Sequence, residues 1–458
     1  MTSGRRVLRV ASGQGFWGDD LEAPVRQVEG GPIDYLMLDY LAEVTMSIMR
    51  KQQGRDPEAG YARDFVALME RIFPACVTKG IRVVTNAGGV NPRGCAQALI
   101  GAARRAGVAA RVALVTGDDL MDRLDALLAA GHPLANMETG AGLETIRDRV
   151  RSANAYLGAR PIVEALSHQP HVVVTGRASD AALTYAPMIH EFGWKWDDHD
   201  RISSGVVAGH INECGAQSTG GNSMPEWWTV PDLATVGFPI IEAEPSGEFV
   251  VTKHPGSGGR VDRRTVTEQL VYEIGDPKRY ITPDAVADFT TIGLEEIGPD
   301  RVRVRGVKGT PPPDHLKVSV AYQNGWKAVG TLTYTWPDAA EKARAAARVL
   351  RERLDRLGLR FEAVRTELVG WDSTHGHLVG EPPADLPEVQ LRVGVRSQDQ
   401  APVERFTREM VPLVLTGPPS ATGYAGARAR VQEIMAYWPA LIPRDLVESA
   451  LRVEVITA

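Results

Sequence analysis

Residues 81–107 read IRVVTNAGGVNPRGCAQALIGAARRAG. A short apolar, β-branched run gives way to a small-residue turn that carries Asn86, Gly88 and Gly89. Asn91 and Pro92 then form an N-cap and first-turn pair, and apolar residues at helical spacing continue to Gly107. Strand, polar turn, helix is half of a βαβ unit. The same grammar recurs in VLRVASGQG at 7–15, ARVALVTGDD at 110–119 and PHVVVTGRASD at 170–180. These runs are short and apolar throughout, as strands buried on both faces of a parallel sheet are. YARDFVALMERIFPACVTKG at 61–80 is an amphipathic helix ending at Gly80. The N-terminal part is therefore expected to be α/β and Rossmann-like, a parallel sheet flanked by helices.

The texture changes beyond residue 236. GEFVVTKHPGSGG, DRVRVRGVKG and LKVSVAYQNGWKAVGTLTYTW alternate apolar and polar residues between Asn-Gly and Gly-rich turns, which reads as antiparallel strands. A helix is expected at about 337–357. The expected organisation is an α/β domain at 1–235 and a mixed α+β domain at 236–458, β-rich at 236–335.

The chain has 458 residues, a formal net charge of −6 and 24% charged residues. That balance argues against a nucleic-acid surface, which would carry a basic excess. No apolar run approaches the ~20 residues of a membrane helix. Cys76, Cys95 and Cys214 make neither a disulfide framework nor a paired metal motif. A cytoplasmic protein with no membrane contact is expected.

Ligands of parallel sheets bind at the carboxyl ends of the strands. On that rule Asp19, Asn86, Asp118, Asp119, Arg177 and Asp180 gather along one rim. Gly13, Gly15 and Gly18 spell G-x-G-x-x-G, a dinucleotide fingerprint that needs an acidic residue about 20 positions on. Asp34 and Asp39 stand at that distance. Phe16 and Trp17 inside the motif, and Asp19–Asp20 where a diphosphate would lie, argue against the cofactor. The glycines are expected to shape a strand-to-helix turn or to bind an anion on backbone N–H groups.

AGHINECGAQSTGGN at 208–222 sets His210, Glu213 and Cys214 on one helix face. With no third ligand at a recognisable distance, no metal is expected. Glu213 suits general acid–base work. Cys214 reads first as a small buried hydrophobe and second as a nucleophile or proton carrier. Gly220 and Gly221, before Asn222, allow a backbone to approach a ligand closely. TKHPGSGGRVDRRTVTEQL at 252–270 puts Lys253 and His254 beside a glycine-rich turn, either an anion site or an ordinary loop. Thr265 and Glu268 read as a capping box.

ASGQGFWGD, TNAGGVNP, VVVTGRASDAALTYAPMIHEFGW, AGHINECGAQSTGGN, VTKHPGSGG and TVTEQLVYEIGDP, in that order, resemble the acyclic-terpene-utilisation (AtuA-like) family over nearly the whole chain. Its namesake belongs to bacterial gene clusters that degrade citronellol and geraniol through branched acyl-CoA intermediates. The resemblance marks Gly13, Gly15, Asp19, Asn86, Gly88, Gly89, Asp118, Arg177, Asp180, Glu213, Cys214, Asn222, Lys253, His254 and Glu268. It implies an enzyme of acyl metabolism, expected to be a hydro-lyase or C–C lyase acting on an acyl thioester or branched carboxylate. Glu213 or Asp180 would be the base, and Lys253, His254 and the Gly220–Gly221 backbone would stabilise an enolate oxygen. A hydrolase using Cys214 is an alternative. So is a non-catalytic acyl-binding subunit working with a small ferredoxin-fold partner, since many members carry such a domain and here it is expected on a separate subunit. CoA enters only as part of the substrate, no other cofactor is expected, and a homo-oligomer is.

Overall fold

A computed structural model describes residues 7–42, 44–423 and 429–457. The expected strand–turn–helix grammar becomes β1 (Leu8–Gln14), α1 (Ala23–Gly30), β2 (Tyr35–Leu38), α2 (Thr45–Gln53) and α3 (Arg63–Lys79). It continues as β3 (Arg82–Thr85), α4 (Pro92–Arg105), β4 (Arg111–Thr116), α5 (Leu124–Ala129) and β5 (Val150–Ala155). Then come α6 (Arg160–Ser167), β6 (Val172–Thr175), α7 (Ala182–Phe192) and α8 (His199–Glu213). The local signals act as read. Asn91 caps α4 by accepting the Gly94 N–H at 2.9 Å, and Gly80 ends α3 at φ 71°.

The parallel strands lie in the order β1-β2-β3-β6-β4. Leu36, Leu38, Val83, Val112, Leu114, Val172 and Val174 join a core with α3 and α4. The alternate residues Met37, Val84, Ala113 and Val173 are buried as well. Because side chains alternate across a strand, they face the opposite layer, where α6, α7 and α8 pack together. Burial on both faces is why these strands show no polar alternation. This order is not the 3-2-1-4-5-6 of a dinucleotide-binding sheet.

Beyond residue 236 the strands are antiparallel, as read. β7 (Ile240–Ala243) pairs with β1, β8 (Phe249–Thr252) with β7, and α9 (Arg263–Leu270) follows. Next come β9 (Tyr280–Ile281), β10 (Val286–Asp288), β11 (Gly293–Gly298), β12 (Arg301–Arg305) and β13 (Lys308–Thr310). β12 pairs with β8 and β11 with β12, while β9, β10 and β13 make a small sheet. The boundary expected at 235 therefore needs correcting. Instead of starting a second domain, β7, β8, β12 and β11 extend the edge of the first sheet, which is mixed and ten-stranded.

Two compact units result, one of residues 1–321 and 437–458, the other of 322–436. β14 (His315–Thr335) begins in the first and ends in the second, after which α10 (Ala339–Arg356), β15 (Ala363–Val369), β16 (Glu388–Ser397) and α11 (Gln400–Phe406) follow. In the second unit β15, β16 and β14 pair antiparallel, and α10 lays Ala343, Ala346, Leu350 and Leu354 into the core beside them. The last strand of the first unit runs over Arg452–Thr457 and pairs antiparallel with β4 at the far edge of its sheet. Among the described residues no helix is long and apolar enough to cross a membrane.

Candidate active site at the strand ends

The parallel strands end in a line of buried polar groups. Asp39 follows β2, Asn86 follows β3, Asp118 follows β4 after one glycine, and Arg177 follows β6 after another. Asn86 Nδ2 donates to Asp39 Oδ1 at 2.7 Å, and Asn86 Oδ1 accepts the Tyr40 N–H at 2.7 Å. Asp118 Oδ2 accepts from Asn154 Nδ2 at 2.9 Å and from the Arg177 N–H at 2.8 Å. Gly176 allows this approach: a Cβ there would stand 2.5 Å from the Asp118 carboxylate oxygens. Arg177 donates to the Ala178 carbonyl at 3.0 Å, pairs with Asp180, and lays its guanidinium 4.1 Å over the Tyr156 ring.

Glu213, the last residue of α8, completes the line, with Oε1 2.9 Å from His210 Nδ1. It opens on a cavity of about 430 Å³ together with Arg177, Asp180, Glu273, Tyr280 and Lys317. The Lys317 ammonium lies 4.8 Å from the centroid of the same Tyr156 ring. Arg177 lies buried in its wall, Glu273 and Lys317 are exposed, and the exposed Met137, Ile281 and Leu441 add apolar surface to the same lining.

Burial sets the charge states here. It pushes the Glu213 carboxyl up; the hydrogen bond and charge of His210 pull the other way, and the carboxylates of Asp180 and Glu273 push it further up. Asp39 rises well above the carboxylate range, first by burial and then by the charge of Asp180, against the pull of Arg177. Asp118 rises to about 7, again by burial first, against the Arg177 N–H. Burial opposes the charge of Arg177, yet Asp180 and Asp39 hold its guanidinium protonated. The Tyr280 hydroxyl is pushed up by burial and by Glu213.

Asn86, Asp118, Arg177 and Asp180 thus share one rim, joined by Asp39. Other expected members do different work. Asp119 pairs with Arg50. Asp19 closes its own turn by accepting the Gly15 N–H at 3.0 Å, so that donor is taken. Gly15 is glycine because a Cβ would come within 2.9 Å of the Cys214 backbone at the end of α8. Gly13 packs on Leu36 and Leu38, and Gly88 on the Thr175 carbonyl, while Gly89 turns at φ 52°. Gly13 and Gly15 fit close packing, Gly18 turns at φ 105° in open space, and of the expected anion donors the Gly15 N–H is already taken by Asp19.

Lys253 and His254, expected in the catalytic group, lie elsewhere. Buried Lys253 donates to the Ser257 carbonyl at 2.8 Å and pairs with Asp300 at 3.1 Å. His254 lies against Gly30 and Gly31 with Nε2 3.0 Å from the Gln27 carbonyl, and burial lowers its pKa. Glu268 accepts from Ser223 Oγ at 2.7 Å and the Met224 N–H at 3.1 Å. It is not the capping partner of Thr265: Asp262 is the N-cap, and the box is Asp262–Thr265. Gly220 turns at φ 97°, Gly221 donates to the Ala216 carbonyl at 2.9 Å, and Asn222 Nδ2 is 3.5 Å from Gln217 Oε1. None of these lines the cavity. Cys214 sits at the C-terminal end of α8, outside the lining, and its thiol is pushed up by burial and then by Glu213.

Sequence reasoning missed Tyr156, Glu273, Tyr280 and Lys317. Glu273 stands inside the family-like stretch TVTEQLVYEIGDP and Tyr156 inside another, NAYLGARPIVEAL at 154–166, and both carried that signal; Tyr280 and Lys317 carried none. Among the described residues no group of three or more His, Cys, Asp or Glu is arranged to hold a metal ion.

The model of the acyclic terpene utilisation family protein AtuA matches residues 8–453, which include every rim and cavity residue named above. The chain belongs to the acyclic terpene utilisation family. Compared with curated proteins and with solved structures, it finds no match.

Proposed function

We propose that this family member is an acid–base lyase acting on an acyl thioester or carboxylate, with Glu213 as the group that moves the proton. The observation that carries the reading is Glu213 itself, a carboxyl raised by burial that faces a cavity lined by both charged and apolar side chains. Raising a carboxyl toward neutrality matches it to proton transfer at working pH. An enolate formed by loss of an α-proton needs positive charge beside its oxygen. Lys317 and Arg177 are the cations on the cavity wall. Asp180, forked to Arg177, holds that guanidinium in place, which leaves the proton to Glu213. Met137, Ile281 and Leu441 on the same lining offer apolar surface to an acyl chain. The parallel layer is read as Rossmann-like in the use of its strand ends alone, without a dinucleotide.

The hydrolase alternative asks for a Cys214 thiolate. A thiol raised by burial, at the C-terminal, negative end of a helix, opposes one.

The test is exchange of the α-proton with D₂O, and hydration or cleavage, across 2-enoyl and 3-hydroxyacyl thioesters and free branched acids. Glu213→Gln is expected to lower turnover ~10²–10⁴-fold with an unchanged melting profile. Full activity in that variant overturns the assignment, and loss of activity in Cys214→Ala alone transfers the chemistry to the thiol.

A further inference from the structure

His210 is absent from the cavity wall, yet it touches Glu213 from behind. Its side chain is 1% exposed and lies against Tyr280 and Phe289, ring centroids 5.3 and 5.5 Å away. Nε2 is 2.9 Å from the Gln269 carbonyl oxygen, and a carbonyl can only accept, so Nε2 carries a hydrogen. Gln269 grips the same residue twice, its side-chain amide donating to the His210 carbonyl at 2.8 Å. Gln217 in turn donates to Gln269 Oε1 at 2.8 Å and fixes that amide.

The lock has a consequence at the other nitrogen. With Nε2–H fixed, a neutral imidazole presents a lone pair at Nδ1. Glu213 Oε1 stands 2.9 Å from it, so a proton must lie between the two. Either the carboxyl is protonated and the imidazole neutral, or the carboxylate faces an imidazolium. A carboxylate against a bare lone pair, buried, would be repulsive.

We infer that His210 is the positioning residue and proton partner of Glu213, and that the pair holds one proton between Oε1 and Nδ1 at rest. The catalytic consequence rests on the proposed role of Glu213; the proton arrangement does not. When a substrate C–H gives its proton to Glu213 Oε2, the shared proton moves fully onto Nδ1. The C–H electron pair stays on the substrate as an enolate, and the pair gains one proton and one positive charge. The reverse passage returns both. His210 thus lets a buried carboxyl that is already protonated still accept a proton.

Other titratable groups face Glu213 from each packed element. They are Asp180 and Arg177 from the β6–α7 turn, Tyr272 and Glu273 after α9, Tyr280 on β9, and Cys214 beside it. The carboxylates among them push Glu213 up, against the hydrogen bond and charge of His210.

The experiment is long-range ¹H–¹⁵N correlation of ¹⁵N-histidine-labelled full-length protein, with His210 assigned by difference against His210→Asn. The spectrum is expected to show the hydrogen on Nε2 and a proton shared at Nδ1. A neutral Nδ1–H tautomer with a bare Nε2 overturns the inference. With any acyl substrate that is turned over, His210→Asn and His210→Gln are expected to lower kcat ~10²-fold with KM within about 2-fold, and to displace the limb of the pH profile that belongs to Glu213. A wild-type pH profile in both folded variants overturns the catalytic part. If the wild-type protein processes no acyl substrate, the proposed function fails, while the spectra still decide the proton arrangement because they need none.

Discussion

The strand-end rim and the turn at 253–259 present similar ingredients: cations, a histidine or carboxylate, and glycines that bring backbone close. They part company in what their polar groups do. In the turn, Lys253 is consumed by Ser257 and Asp300, and His254 faces the Gln27 carbonyl, all within the local chain and its neighbours. At the rim, Asp39, Asp118 and Glu213 are carboxyls buried far from enough positive charge, and all three are pushed up. Arg177 Nε lacks a protein partner among the described residues. A folded chain tolerates unbalanced buried charge where something is gained by it, and function is the usual gain. Composition cannot tell the two regions apart; an account of partners can.

The contrast can be broken first at Arg177. Arg177→Met removes the buried cation that Asp180 and Asp39 share, leaving Asp180 unpaired and Asp39 without the charge that pulls its carboxyl down, so a loss of about 3 kcal/mol is expected in denaturant unfolding. A loss under 1 kcal/mol would mean that water already solvates the rim, and the distinction from the turn would fall. Asp118 provides a second cut. Its folded pKa of about 7 lies above the ~3.9 of an unfolded aspartate, so between these values the folded state holds the extra proton. That stabilisation is full below about pH 4 and is lost as pH rises through 7, at about 1.4 kcal/mol per unit at most. Asp39 and Glu213, also raised, act with the same sign. Asp118→Asn should flatten the slope; an unchanged slope means that Asp118 is not its source. The smallest effect belongs to the turn. Lys253→Met should cost about 1.5–3 kcal/mol through its lost charged hydrogen bond and leave turnover within about 2-fold. A large fall in turnover at unchanged stability would return Lys253 to the site.

Much of the rim was legible because two signals coincide at Asn86, Asp118 and Arg177. A β-branched run fixes the strand, and the first polar residue after it must lie at the carboxyl end. Lys317 had no such signal. It sits in the alternating stretch HLKVSV, where period-two patterning tells which face a side chain takes but not that the face closes a cavity. Tyr280 lies in a two-residue strand, too short for periodicity to register. The pairing of His210 with Gln269 spans 59 positions and depends on α8 and α9 packing together, a tertiary fact. The shift of the α9 cap from Thr265 to Asp262 has a local cause. Asp262 is itself a strong N-cap and stands three residues earlier, so Thr265 becomes the inner member of the box rather than the outer.

β1 has one neighbour close in sequence, β2, and another, β7, that pairs Leu8 with Ala243 and Ala11 with Ile240. The strand on which the first glycine turn is built therefore waits for more than two hundred residues before its second edge is covered. Closing a loop of that length is an entropic hurdle met before any contact rewards it, and topologies of this kind fold slowly. During the wait, β1 offers a bare, apolar edge of the sort that recruits strands from other molecules. Where one strand finds its second partner thus sets how long an aggregation-prone edge stays uncovered on the way to the fold.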